Sequence, residues 1–413
     1  MESQAVRPGR PRAAVVVGCL VAMFITAPGQ TFVVSTFSDA LASDLGLTLE
    51  RLGLAYLLGT LGSALCLTAV GSAADRIGPR KMIGGASLGL ALAGLAFQSA
   101  SGFASLTLAF FLLRLTGQGA ISMASSHALA LRFDATLGRM EGLRGATVAL
   151  AIATVPQLSV ALIASTGWRS AATVLTLSAA ALGVAAAVFL IDPDPEPASG
   201  EVEGDEAWRR SFDLAAARRT PVFWVLIAFV AAQAAVVTGV HFHLLPILAE
   251  AGASAGEAAR TYMTYAGAGL AATLLGGLLA DRSRPGPLLG GSMLLLGLGA
   301  VLLDRWPGPL GSHVAMGVLG VAQGIGAATH GPTLARFFGR RHHGAIRGAA
   351  GTAAVAGSAA APWVTGLLME RSGSFEPPLL MMGTVSFALA LLCRAIRDPA
   401  APAAPGARQT GPA

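Results

Sequence analysis

The charged residues of this chain are confined to the borders of long stretches that carry none. Residues 13–38, 52–74, 82–113, 145–168, 170–191, 220–249, 261–280, 285–303, 306–335, 348–369 and 377–393 contain no Asp, Glu, Lys or Arg. A helix needs about 20 apolar residues to cross a bilayer, so most of these gaps hold one span each. The gap 82–113 is too long for one span and is broken at Ser99–Gly102; its second piece runs past Arg114 to Leu131. The run 306–335 opens Pro307-Gly308-Pro309, which sets the expected helix start near Gly311. Twelve helices result. With 12% charged and 54% hydrophobic residues, the chain has too little polar surface for a soluble globule and too much apolar surface for disorder. The first apolar run is span-length and no A-x-A site follows it, so no cleavable signal is expected.

The sign of the borders gives an orientation. Twenty-two of the 28 Lys and Arg fall in the segments on the side of the N-terminus, five fall on the other side, and Arg114 lies within a span. By the positive-inside rule both termini are expected in the cytoplasm. The same bias explains the net charge of +6 without nucleic acid. Cys19, Cys66 and Cys393 lie in apolar stretches without metal-ligand spacing, so neither a disulfide framework nor a metal site is expected. Arg-rich, Asn-free composition points to a bacterial cell membrane.

Residues 192–219 differ from the rest. They begin Asp192-Pro-Asp-Pro-Glu-Pro and read as a solvated linker. The expected domains are therefore 1–191 and 220–413, six helices each, joined by 192–219. The halves are repeats. Tyr56 and Tyr262, Gly71 and Gly277, Asp75 and Asp281, Arg76 and Arg282, and Pro156 and Pro362 are each 206 residues apart. A duplicated 6+6 membrane protein reads as a transporter with its site between the halves.

At this point the sequence resembles the major facilitator superfamily. Residues 71–81, Gly-Ser-Ala-Ala-Asp-Arg-Ile-Gly-Pro-Arg-Lys, resemble its loop 2–3 signature (G-x-x-x-D-R-x-G-R-[KR]), with Pro79 inserted. A degenerate copy lies at Gly277–Arg284. The stretch Arg114–Gly119 resembles the helix 4 motif R-x-x-Q-G, with Gln one place late. Residues 316–373 and His243–Gly252 are similar to the monocarboxylate and oxalate/formate branch, although spans 261–280 and 348–369 lack the basic residue that branch carries. The resemblance implies an all-α fold of 12 transmembrane helices in two pseudo-symmetric bundles. It also implies that Gly71, Asp75, Arg76, Gly78, Arg80, Lys81, Gly277, Asp281 and Arg282 form conformational latches. The physical basis is a carboxylate at a neighbouring helix N-terminus: Asp75 at that of the eleventh helix, Asp281 at that of the fifth.

Arg114 is the leading candidate for a substrate contact. An Arg at the bilayer centre costs about 2.5–3.5 kcal/mol on insertion scales, so it must face water or a partner. The alternative is an Arg bonded to helix 1 or 2 backbone for packing. No carboxylate is expected inside any span to neutralise it. Pro28-Gly29-Gln30-Thr31 interrupts the first helix, and broken helices line transport sites. The expected substrate-binding set is Arg114, Gln118, Gln30, Thr31, Gln157, Gln233, His241, Tyr265 and Gln323. His241, His243, His127 and His330 are the candidate proton carriers; His342-His343 read as solvated. The glycine pairs Gly85/Gly89 and Gly320/Gly324 read as helix-packing positions, and the G-x-S-x-G at Gly85–Gly89 as chance within a helix. No P-loop is present. The expected activity is secondary transport of a small organic anion by alternating access, with a coupled proton as the candidate second substrate. The expected protein is monomeric and is neither an enzyme nor a cofactor-binding protein. An exporter of lipophilic compounds and a non-transporting sensor on the same fold are the alternatives.

Overall fold

The computed structural model describes residues 10–133, 136–192, 212–339 and 343–399. All regular elements among them are helical. Eleven helices are long and apolar enough to cross a membrane, and the bent pair Thr31–Leu45 with Leu49–Leu67 brings the count to twelve. In chain order they are α1 (Arg12–Phe24), α2 (Leu49–Ile77), α3 (Pro79–Gln98), α4 (Phe103–Arg132), α5 (Leu137–Thr166), α6 (Trp168–Phe189), α7 (Pro221–Phe242), α8 (Ala255–Arg282), α9 (Pro285–Arg305), α10 (Pro309–Phe338), α11 (His343–Ser372) and α12 (Glu376–Arg394). Proline at the first turn of α3, α7, α9 and α10 starts each helix without loss of a backbone bond.

Two six-helix bundles form, and they meet along α2 with α11 and α5 with α8. Glycine allows the helices to approach closely. A Cβ on Gly320 would stand 2.3 Å from the Tyr265 carbonyl oxygen, and one on Gly324 2.4 Å from that of Gly269. Gly89 is tight against Thr116, but a Cβ on Gly85 would meet nothing within 4 Å, so Gly85 is not a packing position.

Helix boundaries depart from the charge-gap reading in places that matter. Helix α5 begins at Leu137 rather than near 145, and α10 at Pro309 rather than Gly311. Glu141 and Arg144 are thus helical, paired at 2.7 Å, with Glu141 also accepting from Ser126 Oγ at 2.5 Å. Glu141, expected in the loop before the fifth span, stands at that span's linker end. Pairing with Arg144 makes this tolerable in a half-buried position. The flanks of the linker are also packed. Asp192 is 5% exposed, held by Arg132 at 3.3 Å and by the Arg10 backbone N–H at 2.5 Å. Phe212 donates its N–H to the Phe338 carbonyl at 2.9 Å. Residues 193–211, between them, lie outside the described residues, as do 340–342, which include His342.

Among the described residues, the close backbone approaches between the bundles lie at one end. Call the end that carries 192–219 the linker end and the opposite one the far end. At the far end, a Cβ on Gly53 of α2 would lie 2.6 Å from the Pro362 carbonyl group of α11, and one on Gly366 2.8 Å from the Glu50 backbone. At the linker end, a Cβ on Gly277, Gly348 or Gly351 would meet nothing within 4 Å. One on Gly71 would meet only Met123, in its own bundle. The molecule is closed at the far end and open at the linker end.

Candidate functional site

The first span is broken where expected. Helix α1 ends at Phe24, a short 3-10 turn covers Ala27–Gly29, and Gln30 is extended (φ −95°, ψ 150°) before helix resumes at Thr31. Pro28 removes one donor, and the interruption leaves carbonyls without helical partners. One of them is used by Arg114: its Nη1 donates to the Gly29 carbonyl at 3.3 Å.

Arg114 opens a π-helical segment, Arg114–Ile121, within α4. Such wide turns are rare and recur at functional sites. Here the first span presses on it. A Cβ on Gly29 would be 2.4 Å from the Leu113 carbonyl oxygen and 3.1 Å from Gly117 Cα. The segment turns Arg114 and Gln118 toward the same space. Arg114 is 5% exposed, its guanidinium carbon stands 5.2 Å from the Tyr56 ring centroid, and its buried Nε has no hydrogen-bond partner.

Between the bundles lies a cavity of about 390 Å³. Eight of the nine expected substrate-binding residues line it: Gln30, Thr31, Arg114, Gln118, Gln233, His241, Tyr265 and Gln323. The ninth, Gln157, does not. Its Nε2 donates back to the Ala153 carbonyl on its own helix, so it leaves the expected site. The structure adds Thr238 and Ser358 and an apolar wall that includes Phe32, Ile152 and Val230. Their hydroxyl and aliphatic side chains look like any span residue in a sequence, and only packing singles them out. No carboxylate is among the lining residues.

A vestibule of about 860 Å³ continues to the linker end, sharing Val230, Gln233 and Gln323 with the cavity. Glu141, His330 and Arg347 line it. His330 stacks on Phe229 at 5.6 Å and bonds the Leu226 carbonyl at 3.2 Å, a structural setting. His241 is 4% exposed with Nε2 unpartnered, between the rings of Tyr262 and Tyr265. His243 is fully buried, bonded through Nε2 to the Pro362 carbonyl at 2.8 Å, and away from the cavity.

The expected latch residues stand at the linker end. Asp75 lies near the end of α2 and Asp281 near the end of α8, but their side chains are outside the described residues. Arg76, Lys81 and Arg282 are exposed there. Gly78, at φ 80°, ends α2 and makes the turn into α3, a conformation that favours glycine. Arg80 donates to the Val188 carbonyl at 3.2 Å, within its own bundle.

Twelve spans in two bundles, with a cavity between them that continues to the linker end, are the architecture of a membrane transporter. The chain belongs to the Major Facilitator Superfamily, whose family model matches residues 19–304 and 242–413. The match is to the superfamily and does not single out the monocarboxylate branch. Two structures of a bacterial homologue of the human lysosomal transporter Spinster share the fold. The one described as inward-facing and unoccupied has a TM-score of 0.71 at 14% identity, covering 93% of this chain and 95% of that one. The one described as inward-facing and occupied gives 0.70 at 15% identity with the same coverage. None of the curated proteins compared with the chain matches it.

Proposed function

We propose that the protein is a secondary active transporter that carries a small organic anion, monocarboxylate-like, by alternating access. The carrying observation is Arg114. It faces a closed-bottomed cavity between the bundles with one carbonyl contact, at 3.3 Å, and no carboxylate in the lining. A buried guanidinium with so little compensation favours an anion, and its fork suits a carboxylate. Arg114 with Gln118 and Gln30 of the same bundle would hold the anion; Gln233, His241, Tyr265 and Gln323 would meet it from the other bundle. The apolar wall bounds the remainder of the substrate. Coupling to a proton would use His241, the imidazole that faces the cavity. The packing reading of Arg114 accounts for the Gly29 bond and the Tyr56 ring contact but leaves Nε without a partner.

We take the linker end as cytoplasmic, by the Lys and Arg bias, so this is the inward-open state of a monomer in a bacterial cell membrane. The working units are 1–191 and 220–413, joined by 192–219. Residues Gly71 to Lys81 and Gly277 to Arg282 act as latches when the linker end closes.

Thermal shift of the purified protein against monocarboxylates and lipophilic cations tests the substrate class, since a ligand stabilises the state it binds. Monocarboxylates should stabilise the protein, Arg114→Lys should weaken the effect, and Arg114→Gln should abolish it in a protein that still folds. An unchanged response in Arg114→Gln removes Arg114 from the site. Stabilisation by lipophilic cations alone would favour the exporter reading, which the apolar wall supports.

A further inference from the structure

At the far end, hydrogen bonds join the two bundles among the described residues. The chain of bonds centres on Tyr262 of α8, whose side chain is fully buried. Its hydroxyl donates to the His241 carbonyl at 2.9 Å and lies 3.0 Å from Ser35 Oγ. A carbonyl can only accept, so the tyrosine proton goes to His241, and the single Ser35 proton is shared between the Tyr262 hydroxyl oxygen and the Phe32 carbonyl of its own span at 3.2 Å. Ser35 belongs to the broken first span, in the opposite bundle.

These positions follow the internal repeat. Ser35 and His241 are 206 residues apart, the same offset that relates Tyr56 to Tyr262. Tyr262 therefore bridges two positions that the repeat makes equivalent, one from each half. Tyr56 does not repeat the arrangement. Its hydroxyl bonds Thr31 Oγ1 at 2.6 Å inside its own bundle, and its ring packs on Phe242 at 4.9 Å across the interface. Tyr262 thus joins the halves through its hydroxyl, and Tyr56 through its ring alone.

The cavity reaches the same tie from the other side. The His241 ring lines the cavity and lies 5.1 Å from the Tyr262 ring and 4.5 Å from the Tyr265 ring. Helix α7 stops at Phe242, one residue later, and His243 leaves the helical geometry (φ −106°, ψ 14°). Helix resumes at Leu244, so the break is a single residue, and the turn before it carries the carbonyl that holds Tyr262.

We propose that the Ser35–Tyr262–His241 chain is the far-end gate, released when a substrate in the cavity draws on His241. The release step rests on the cavity being the substrate site; the gate itself does not. With the far end closed, Tyr262 joins the bundles. Movement of the last turn of α7 withdraws the acceptor, Tyr262 leaves Ser35, and the far ends of α1 and α7 part.

Spin labels at Ser101→Cys and Ala253→Cys, one in each bundle at the far end, measure the opening in the full chain. Without substrate, Tyr262→Phe and Ser35→Ala should each raise the far-open population about two- to tenfold, the range expected for one lost hydrogen bond. The double variant should add nothing to either, because the Ser35–Tyr262 bond, the one of Tyr262's two bonds that crosses between the bundles, is lost in both. Thermal unfolding checks that each variant folds, and Ser35→Ala serves if Tyr262→Phe does not. Distance distributions identical to the parent protein's in both variants overturn the gate. Saturating lactate provides the second arm. It should open the far end of the parent protein and have no further effect on Tyr262→Phe. Equal responses in the two overturn release through Tyr262. If lactate fails to bind the parent protein, the substrate reading falls for lactate, and the substrate-free arm still decides the gate.

Discussion

The Glu370 carboxylate of α11 accepts a hydrogen bond from the Glu50 backbone N–H of α2 at 2.8 Å, across the two bundles. Glu50 stands in the first turn of α2, where N–H groups lack helical acceptors and the helix dipole is positive. This is the arrangement expected of Asp75 at the linker end, found at the opposite end with donor and acceptor helices exchanged. A carboxylate so placed contributes about 0.3–1 kcal/mol at an exposed site. Glu370→Ala should therefore shift the molecule about two- to fivefold away from the far-closed state. Label pairs across the linker mouth should report shorter distances. An unchanged distribution would make the contact incidental to closure.

The glycine at the break of the first span should be intolerant of any side chain. A Cβ on Gly29 would lie 2.4 Å from the Leu113 carbonyl oxygen, backbone that cannot move without disturbing the π segment and Arg114. Overpacking of this kind costs about 1–3 kcal/mol. Gly29→Ala should lower the thermal unfolding temperature and weaken anion binding together. Gly85→Ala, where nothing lies within 4 Å, should leave binding intact and stabilise by up to about 1 kcal/mol through helix propensity. Equal effects of the two would refute the assigned packing.

The far-end contacts explain what a sequence shows and what it hides. Charge-free gaps locate spans because every charge in lipid is expensive, and that rule placed all twelve. It fails where a charge has a partner: Glu141 and Arg144 neutralise each other one helical turn apart, so α5 begins eight residues before the gap that marks it. Arg114, Gln118 and Gln233 stand out in a sequence as polar groups in apolar runs, and the cavity gathers them. Gln157 stands out equally, but it satisfies itself on the Ala153 carbonyl, a choice that side-chain rotation makes and composition does not reveal. Tyr262 has no sequence signal beyond its repeat mate. Its role depends on which first-span hydroxyl reaches it, a matter of bundle docking.

The orientation has a direct chemical test. Single cysteines in 192–219 should react with an impermeant maleimide only from the cytoplasmic side, and Ala253→Cys only from outside. The three native cysteines are buried or half-buried and are first replaced. Labelling of both positions from one side would end the twelve-span topology, and reversed sidedness would make the present state outward-open.

The two ends should oppose each other energetically. In this conformation the linker ends of α2 and α11 stand apart, so contacts of Asp75 with the start of α11, and of Asp281 with the start of α5, belong to the state with that end closed. Removing a charge from a helix N-terminus costs about 0.3–1 kcal/mol when exposed and up to about 2 when partly buried. Asp75→Asn should then favour the linker-open state by about twofold to more than tenfold. Asp281→Asn should act in the same direction more weakly, because its loop lacks the Gly78–Lys81 continuation. Glu370→Ala acts the other way. The two sites lie at opposite faces of a hydrocarbon layer about 30 Å thick, so their effects should add. The Asp75→Asn, Glu370→Ala double variant should therefore return toward the parent distribution across the linker mouth. If Asp75→Asn closes that mouth, or if the double variant follows either single change alone, the paired-latch account fails and the carboxylates act only on topology.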